Sequence, residues 1–324
     1  MEKKEGTLPK IVVIAGPTAS GKTSISVAMA SRFNAEIINA DSMQVYRGMD
    51  IGTAKPKREE KKGVLHHLLD VANPDQEYNA AIYRDMAFAA AMDILHRGKR
   101  VFLVGGTGLY IKSLLGGLLQ CPPSSPELKK ALQEEWKSDG GRAMYKRLMR
   151  LDPQRAEKIH PHDHVRVIRA LEIMLLTNSA PSNLTKLHAF SERNFTALKF
   201  CLIRERPELY DRIDKRTLGM IEEGLFSETE KLLGKGYSPR LKSLQAIGYK
   251  QSVAYLEGHL TREKAITEIQ KETRRYAKRQ ITWFRADSSY TWVDPRQEKT
   301  LAEKIESFFD STAEPNLVKR LRGW

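Results

Sequence analysis

Residues 16 to 23 read Gly16-Pro17-Thr18-Ala19-Ser20-Gly21-Lys22-Thr23 and fit the pattern G-x-x-x-x-G-K-[ST], which limits what this chain can fold into more than any other feature. The pattern lies between a short apolar run, Lys10 to Ala15, and a segment from Thr23 to Phe33 in which Ile25, Val27, Met29 and Ala30 suit a helix packed on that run. A strand, a turn and a helix are therefore expected in that order. The glycines allow successive backbone N–H groups to converge on phosphate oxygens, the helix N-terminus adds a favourable dipole, and Lys22 brings a mobile positive charge. Thr23 can set its hydroxyl on a Mg²⁺ ion that bridges the phosphates. Such a cradle specifies a phosphate-bearing ligand without specifying a nucleotide.

The rest of the chain extends this unit into an α/β protein. Glu36 to Ala40 and Val101 to Val104 read as further buried strands, the second preceded by a helical stretch from about Ala80 to Arg97 that ends at Gly98. Strands alternating with helices imply a parallel sheet. The Cys121-Pro122-Pro123-Ser124-Ser125-Pro126 segment breaks the rhythm, and the residues up to about Asn194 are helix-like with few strand signals. Strand character returns at Leu198 to Ile203 and at Tyr290 to Val293, while Glu208 to Leu233 and Arg262 to Arg285 carry helical patterns. The expectation is a P-loop NTPase-like parallel sheet flanked by helices and split by an all-helical insertion. Residues 1–118 form the first part of the core, 119–197 the insertion and 198–324 the second part, with a loosely attached tail from Ser311.

Composition narrows the function classes. Hydrophobic residues make up 41% of the 324, enough for a large core, and nothing approaches the roughly 18 consecutive apolar residues of a membrane helix. The two cysteines, Cys121 and Cys201, argue against a disulfide framework. Met1 to Lys10 is charged and has no apolar centre of a secretory signal, so a cytoplasmic protein is expected. An excess of 54 Lys+Arg over 40 Asp+Glu, a formal charge of +14, favours a polyanionic partner or a solvated basic surface.

A kinase or ATPase needs an apolar strand that ends in an acidic magnesium ligand, but Val101-Phe102-Leu103-Val104 runs into Gly105-Gly106-Thr107-Gly108. The nearest strand-end acid is Asp41, and a carboxylate at the carboxyl edge of a parallel sheet lies beside the ligand crevice. From here the chain resembles the tRNA dimethylallyltransferase family over nearly its whole length. The resemblance is carried, in one order, by residues 16 to 23, Asp41-Ser42-Met43-Gln44-Val45-Tyr46, Asp50-Ile51-Gly52-Thr53-Ala54-Lys55-Pro56 and His66-His67-Leu68-Leu69-Asp70. It continues through Gly105-Gly106-Thr107-Gly108-Leu109-Tyr110, Leu244-Gln245-Ala246-Ile247-Gly248-Tyr249-Lys250 and Lys278-Arg279-Gln280-Ile281-Thr282-Trp283-Phe284-Arg285.

The resemblance implies a Mg²⁺-dependent, monomeric enzyme of bacterial type. It would transfer a dimethylallyl group from dimethylallyl diphosphate to N6 of adenosine 37 in tRNAs that read codons beginning with U. It also implies that the cradle, Gly16 through Thr23, holds the donor's diphosphate and that Asp41 takes a proton from the adenosine amine. Thr107 and Arg216, with Lys22, would steady the leaving diphosphate. Other roles stay open: Asp41 as a metal-network ligand, Thr107 as a helix cap, and Arg212 rather than Arg216 as the clamp, the other arginine forming a surface ion pair. The anticodon arm would meet Asp41, Ser42, Met43, Gln44, Thr107, Gly248, Tyr249, Lys250, Lys278, Arg279, Gln280 and Arg285. The insertion would clamp it through Arg166 and Arg169, with Val165 standing where many members carry glutamine.

As a helix, residues 271 to 285 put Lys271, Arg274, Arg275 and Lys278 on one face as a basic ridge, with Tyr276, Ala277, Ile281 and Phe284 toward the core. His160, His162 and His164 lack the companions of a zinc site and read as the approach to a helix beginning near Asp163. His66 and His67 read as local packing. The alternatives are an isopentenyltransferase acting on free adenine nucleotides, a P-loop small-molecule kinase and a non-catalytic RNA-binding protein.

Overall fold

The computed structural model describes residues 8–118, 122, 124–138, 140–183 and 192–311; Cys121 and the tail beyond Ser311 lie outside the described residues. The core's first part runs β1 (Lys10–Ala15), α1 (Lys22–Arg32), β2 (Ala35–Asn39), α2 (Arg58–Lys61), β3 (His66–His67), α3 (Ala80–His96), β4 (Arg100–Gly105) and α4 (Gly108–Gly116). Then come α5 (Pro126–Ser138), α6 (Gly141–Leu151), α7 (Pro153–Ala156) and α8 (His164–Thr177). The second part runs β5 (Thr196–Leu202), α9 (Arg206–Glu222), α10 (Leu225–Gly234), α11 (Tyr249–Leu256), α12 (Arg262–Arg285), β6 (Thr291–Val293) and α13 (Glu298–Asp310).

The six strands form one sheet in the order β3-β2-β4-β1-β5-β6, and every pairing is parallel. Alternation along each central strand fills two separate cores. Ile11 and Val13 of β1, with Val101 and Leu103 of β4, point to one face. Val12 and Ile14, with Phe102 and Val104, point to the other, where Ile25, Met29, Leu301 and Ile305 cover them. A parallel sheet has to be covered on both faces, and its strands are continuous apolar runs for that reason.

The chain divides into two compact units, Gly116–Glu192 and the remainder. The smaller is helical and has its own core of Leu132, Met144, Leu148, Val167, Ile168 and Leu171. The expected insertion boundary at 197 is too late. Thr196 and Ala197 already pair with Lys10 and Ile11, and Phe195 is buried in the sheet's core, so the strand begins before the apolar run at Leu198.

The single helix expected from Glu208 to Leu233 is two, α9 and α10. Gly224 breaks it at φ 100, a left-handed conformation that glycine adopts without the steric penalty of a side chain. Sequence patterns passed over β3, α2, α11 and α13. The first two are too short and polar for periodicity to register, and His66-His67 is a two-residue strand at the sheet edge.

Candidate active site

The loops that follow β1, β2, β4 and β5 gather at the carboxyl edge of the sheet, where the crevice of an open α/β fold lies. Lys22 Nζ donates to the carbonyls of Gly16 (3.0 Å) and Pro17 (2.8 Å), which holds the ammonium over its own loop. Two arginines reach the loop from α9. Arg216 Nη1 donates to Thr18 Oγ1 (3.2 Å) and Arg212 Nε to the Ala19 carbonyl (2.9 Å), so neither is a surface ion pair. A third, Arg204 after β5, donates to the Ser20 carbonyl (3.1 Å). Sequence reasoning missed Arg204, although an arginine just past a strand end is a visible signal. The buried Ser20 hydroxyl has no hydrogen-bond partner among the described residues, an unmet donor that an anionic oxygen would satisfy.

Asp41 follows β2 directly. Its Oδ1 accepts from the backbone N–H groups of Met43 (2.8 Å) and Gln44 (3.4 Å), which fixes the carboxylate's orientation and leaves Oδ2 without a protein donor among the described residues. Thr107, after β4, donates its N–H to the Ala40 carbonyl (3.0 Å), and its hydroxyl accepts from Ser42 N (3.1 Å). That hydroxyl is turned to the Asp41 loop rather than to the first turn of α4. The phenol of Tyr276 on α12 lies near Thr107, Gln280 and Asp41, and burial together with the Asp41 charge holds it well above the usual tyrosine range. The periodicity of α12 turns Tyr276 inward, but nothing in the sequence signals what its hydroxyl meets.

Charge in the crevice is concentrated and poorly solvated. Burial pushes Lys22 down to about 8 against the opposing pull of Asp41, and burial likewise lowers Arg216, again opposed by Asp41. Two half-buried cations beside a single carboxylate form a site primed for a multiply charged anion. Lys22, Thr23, Asn39, Asp41 and Gln44 line one small pocket. The Thr23 hydroxyl and the Asp41 carboxylate are hard oxygen donors, and with phosphate oxygens and water they fit Mg²⁺, which seldom takes an all-protein cage.

The residues expected on the RNA side separate into two sets. Lys250, Lys278, Arg279 and Arg285 are exposed, and Val165 and Arg166 are exposed on the first turn of α8, which Asp163 caps. Other members face inward. Gln44 Nε2 donates to the carbonyls of Thr53 (3.1 Å) and Ala54 (3.0 Å); Tyr249 is fully buried with its hydroxyl donating to Glu228 (2.6 Å); Gln280 is 5% exposed. Arg169 pairs with the buried Glu172 (2.6 Å). The basic ridge is partly neutralised, since Lys271 pairs with Glu268, Arg274 with Asp214 and Arg275 with Glu272. His160 and His162 set their rings 5.4 Å apart, and His164 lies against Trp136.

Residues 44–287 match the family described as IPP transferase. The chain is 47% identical over 301 residues to tRNA dimethylallyltransferase 2 of Geotalea uraniireducens, covering 93% of this chain and 97% of that one. Among solved structures it is similar to the full-length tRNA isopentenylpyrophosphate transferase of Bacillus halodurans, at 41% identity and a TM-score of 0.69 over 92% of this chain and 96% of that one. It is also similar to a eukaryotic dimethylallyltransferase captured acting on tRNA, at 29% identity and a TM-score of 0.78, covering 95% of this chain and 81% of the other.

Proposed function

The chain belongs to the IPP transferase family, and from that membership we infer that it is a prenyltransferase acting on tRNA, moving a dimethylallyl group onto N6 of adenosine 37 in tRNAs that read codons beginning with U. The donor in this reading is dimethylallyl diphosphate. One observation supports it above the others: the phosphate loop, with Lys22, Arg212 and Arg216 around it, opens beside a carboxylate whose outer oxygen has no protein donor among the described residues. A diphosphate leaving group and a proton acceptor therefore face one crevice.

The chemistry follows from that arrangement. The adenosine amine attacks the donor's first carbon, the bond from that carbon to the diphosphate oxygen breaks, and the proton passes from the amine to Asp41. An exocyclic aromatic amine is a weak nucleophile, so placing it against the carbon and removing its proton both lower the barrier. Lys22 and Arg216 meet charge that grows on the diphosphate as the bond lengthens. Thr107 holds the Asp41 loop in register through Ser42, and Thr23 would hold Mg²⁺, which when bound neutralises phosphate charge. To reach Asp41 the target base must leave its stack.

The exposed cations Lys250, Lys278, Arg279 and Arg285, with Val165 and Arg166 of the helical unit, are the surfaces we assign to the anticodon arm. Among the described residues no helix is long and apolar enough to cross a membrane. We assign the protein to the cytoplasm and to a monomeric state, since one chain carries both the donor crevice and the basic surface.

The test is a transfer assay with labelled dimethylallyl diphosphate, Mg²⁺ and unmodified tRNA, followed by nucleoside analysis, with AMP as competing acceptor. Label in N6-dimethylallyladenosine at nucleotide 37 is the expected result. Label on AMP alone would instead assign the chain to the enzymes of free adenine nucleotides.

A further inference from the structure

Helix α12 presents two unlike faces. Lys278 and Arg279 are exposed, whereas Gln280 is buried; Tyr276, four residues before it, is half-buried, and Trp283, three after, lies against Gly108 while 44% exposed. Gln280 is nearly inaccessible, and both ends of its amide are engaged. Oε1 accepts from the backbone N–H of Thr18 in the phosphate loop (2.8 Å), and Nε2 donates to the carbonyl of Gly106 after β4 (3.1 Å). A base-reading amide turns an N–H and an oxygen lone pair together onto a base edge. This one is nearly inaccessible and has one of each aimed at backbone groups in two different loops.

The surroundings are shaped for that bridge. A Cβ on Gly106 would lie 2.2 Å from Gln280 Nε2, and one on Gly108 would lie 1.9 Å from Trp283 Nε1, so the turn after β4 can be approached this closely only because both positions are glycine. The two bridged loops carry different halves of the chemistry. Thr18 holds Arg216 through its side chain, and Thr107, next to Gly106, holds Ser42 and so the Asp41 loop.

We propose that Gln280 is a positioning residue for the donor: its buried amide sets the spacing between the phosphate loop and the Gly106-Thr107 turn, and it makes no contact with RNA. This rests on the function proposed above, in that the ligand of the phosphate loop is taken to be a diphosphate. Gln280 thus departs from its neighbours Lys278 and Arg279, which share its sequence motif but face solvent.

Two neutral substitutions test the strut. Gln280→Met keeps the length and removes both hydrogen bonds; Gln280→Asn keeps the amide and is too short to span the two loops. The readouts are calorimetric binding of inorganic diphosphate with Mg²⁺, affinity for an anticodon stem-loop, and the separate kcat and donor KM of transfer. Losing two buried hydrogen bonds at the loop should weaken diphosphate binding and raise the donor KM about tenfold in both variants, with stem-loop affinity unchanged. Lys278→Ala should give the opposite split. Either variant suffices if the other does not fold, as thermal melting will reveal.

Stem-loop affinity falling while diphosphate binding holds would overturn the proposal and return Gln280 to the RNA surface. Equal diphosphate binding by wild type and variants would sink the strut alone. Failure of the wild-type protein to bind diphosphate at all would remove the donor site of the proposed function, and the strut with it.

Discussion

At the scale of single residues the crevice is a balance among Lys22, Arg216 and Asp41. Asp41→Asn keeps an oxygen to accept from Met43 and Gln44 while removing the negative charge, so the loop should stay folded and the proton acceptor should be lost. Transfer should fall about a hundredfold or more with tRNA affinity nearly unchanged; matching losses in rate and affinity would instead make Asp41 an RNA contact. Lys22, pushed down to about 8 by burial, is protonated at neutral pH and loses its charge as pH rises through that value. Affinity for inorganic diphosphate should therefore decline above about pH 8 more steeply than in Lys22→Gln, whose profile follows the ligand's own titration alone. The sign for stability is the reverse. Between about 8 and the ordinary lysine value of 10.5 the unfolded chain binds the extra proton, so removing Lys22's charge relieves a cost of folding and stability rises with pH there.

At the scale of elements, the sequence showed which motifs belonged together but not how they are joined. The phosphate loop could be read because its composition and its chemistry coincide, and the apolar runs of β1 and β4 could be read because both sheet faces are covered. The segments around Gly52 and Tyr249 were legible only as motifs. In the structure Glu228 of α10 accepts from the backbone N–H groups of Asp50 (3.0 Å), Ile51 (2.9 Å) and Gly52 (3.2 Å), and from the Tyr249 hydroxyl. A Cβ on Gly52 would lie 2.5 Å from the Tyr249 ring. These interactions join positions nearly two hundred residues apart, so no local pattern encodes them, and the resemblance alone assigned Tyr249 to RNA. Tyr249→Phe should accordingly cost about 1.5–3 kcal/mol of stability in denaturant unfolding, for one hydrogen bond to a charged acceptor. Intact stability with tRNA binding abolished would restore the RNA assignment.

A second joint lies at the β3 edge of the sheet, where the buried Glu36 of β2 meets Arg97, Lys99 and His67. The hydrogen bond from Arg97 leads the interactions that hold its carboxyl well below the usual range. A carboxylate depressed in this way stabilises the fold above its unfolded pKa, and that contribution is lost as pH falls toward the folded value. Glu36→Gln should thus lower the melting temperature at neutral pH, and the gap from wild type should narrow as pH drops below about 4.5. A gap that stays constant down to acid would mean that packing, rather than charge, makes the joint.

At the scale of the whole molecule, the charge of +14 says less than its distribution. Arg274 and Lys278 belong to the same expected ridge, yet Arg274 bonds Asp214 of α9 through two nitrogens while Lys278 is exposed with no ion pair among the described residues. Only a cation free to neutralise a phosphate releases counterions when RNA binds. Lys278→Ala combined with Arg279→Ala should therefore weaken tRNA binding and flatten the plot of log affinity against log salt, by about 0.7 to 0.9 for each phosphate that is no longer neutralised. Arg274→Ala should leave that slope as it was and lower the protein's stability, because it strands Asp214 and loosens α9, the helix that carries Arg212 and Arg216 to the phosphate loop. The two variants remove charge from one helix, so net charge alone predicts slopes that fall in proportion to the charge removed. A change confined to the Lys278 and Arg279 variant would mean that the RNA surface is set by which cations the fold leaves unpaired, whereas a flattened slope in Arg274→Ala would show that the Asp214 pair opens on binding and that the whole ridge meets RNA.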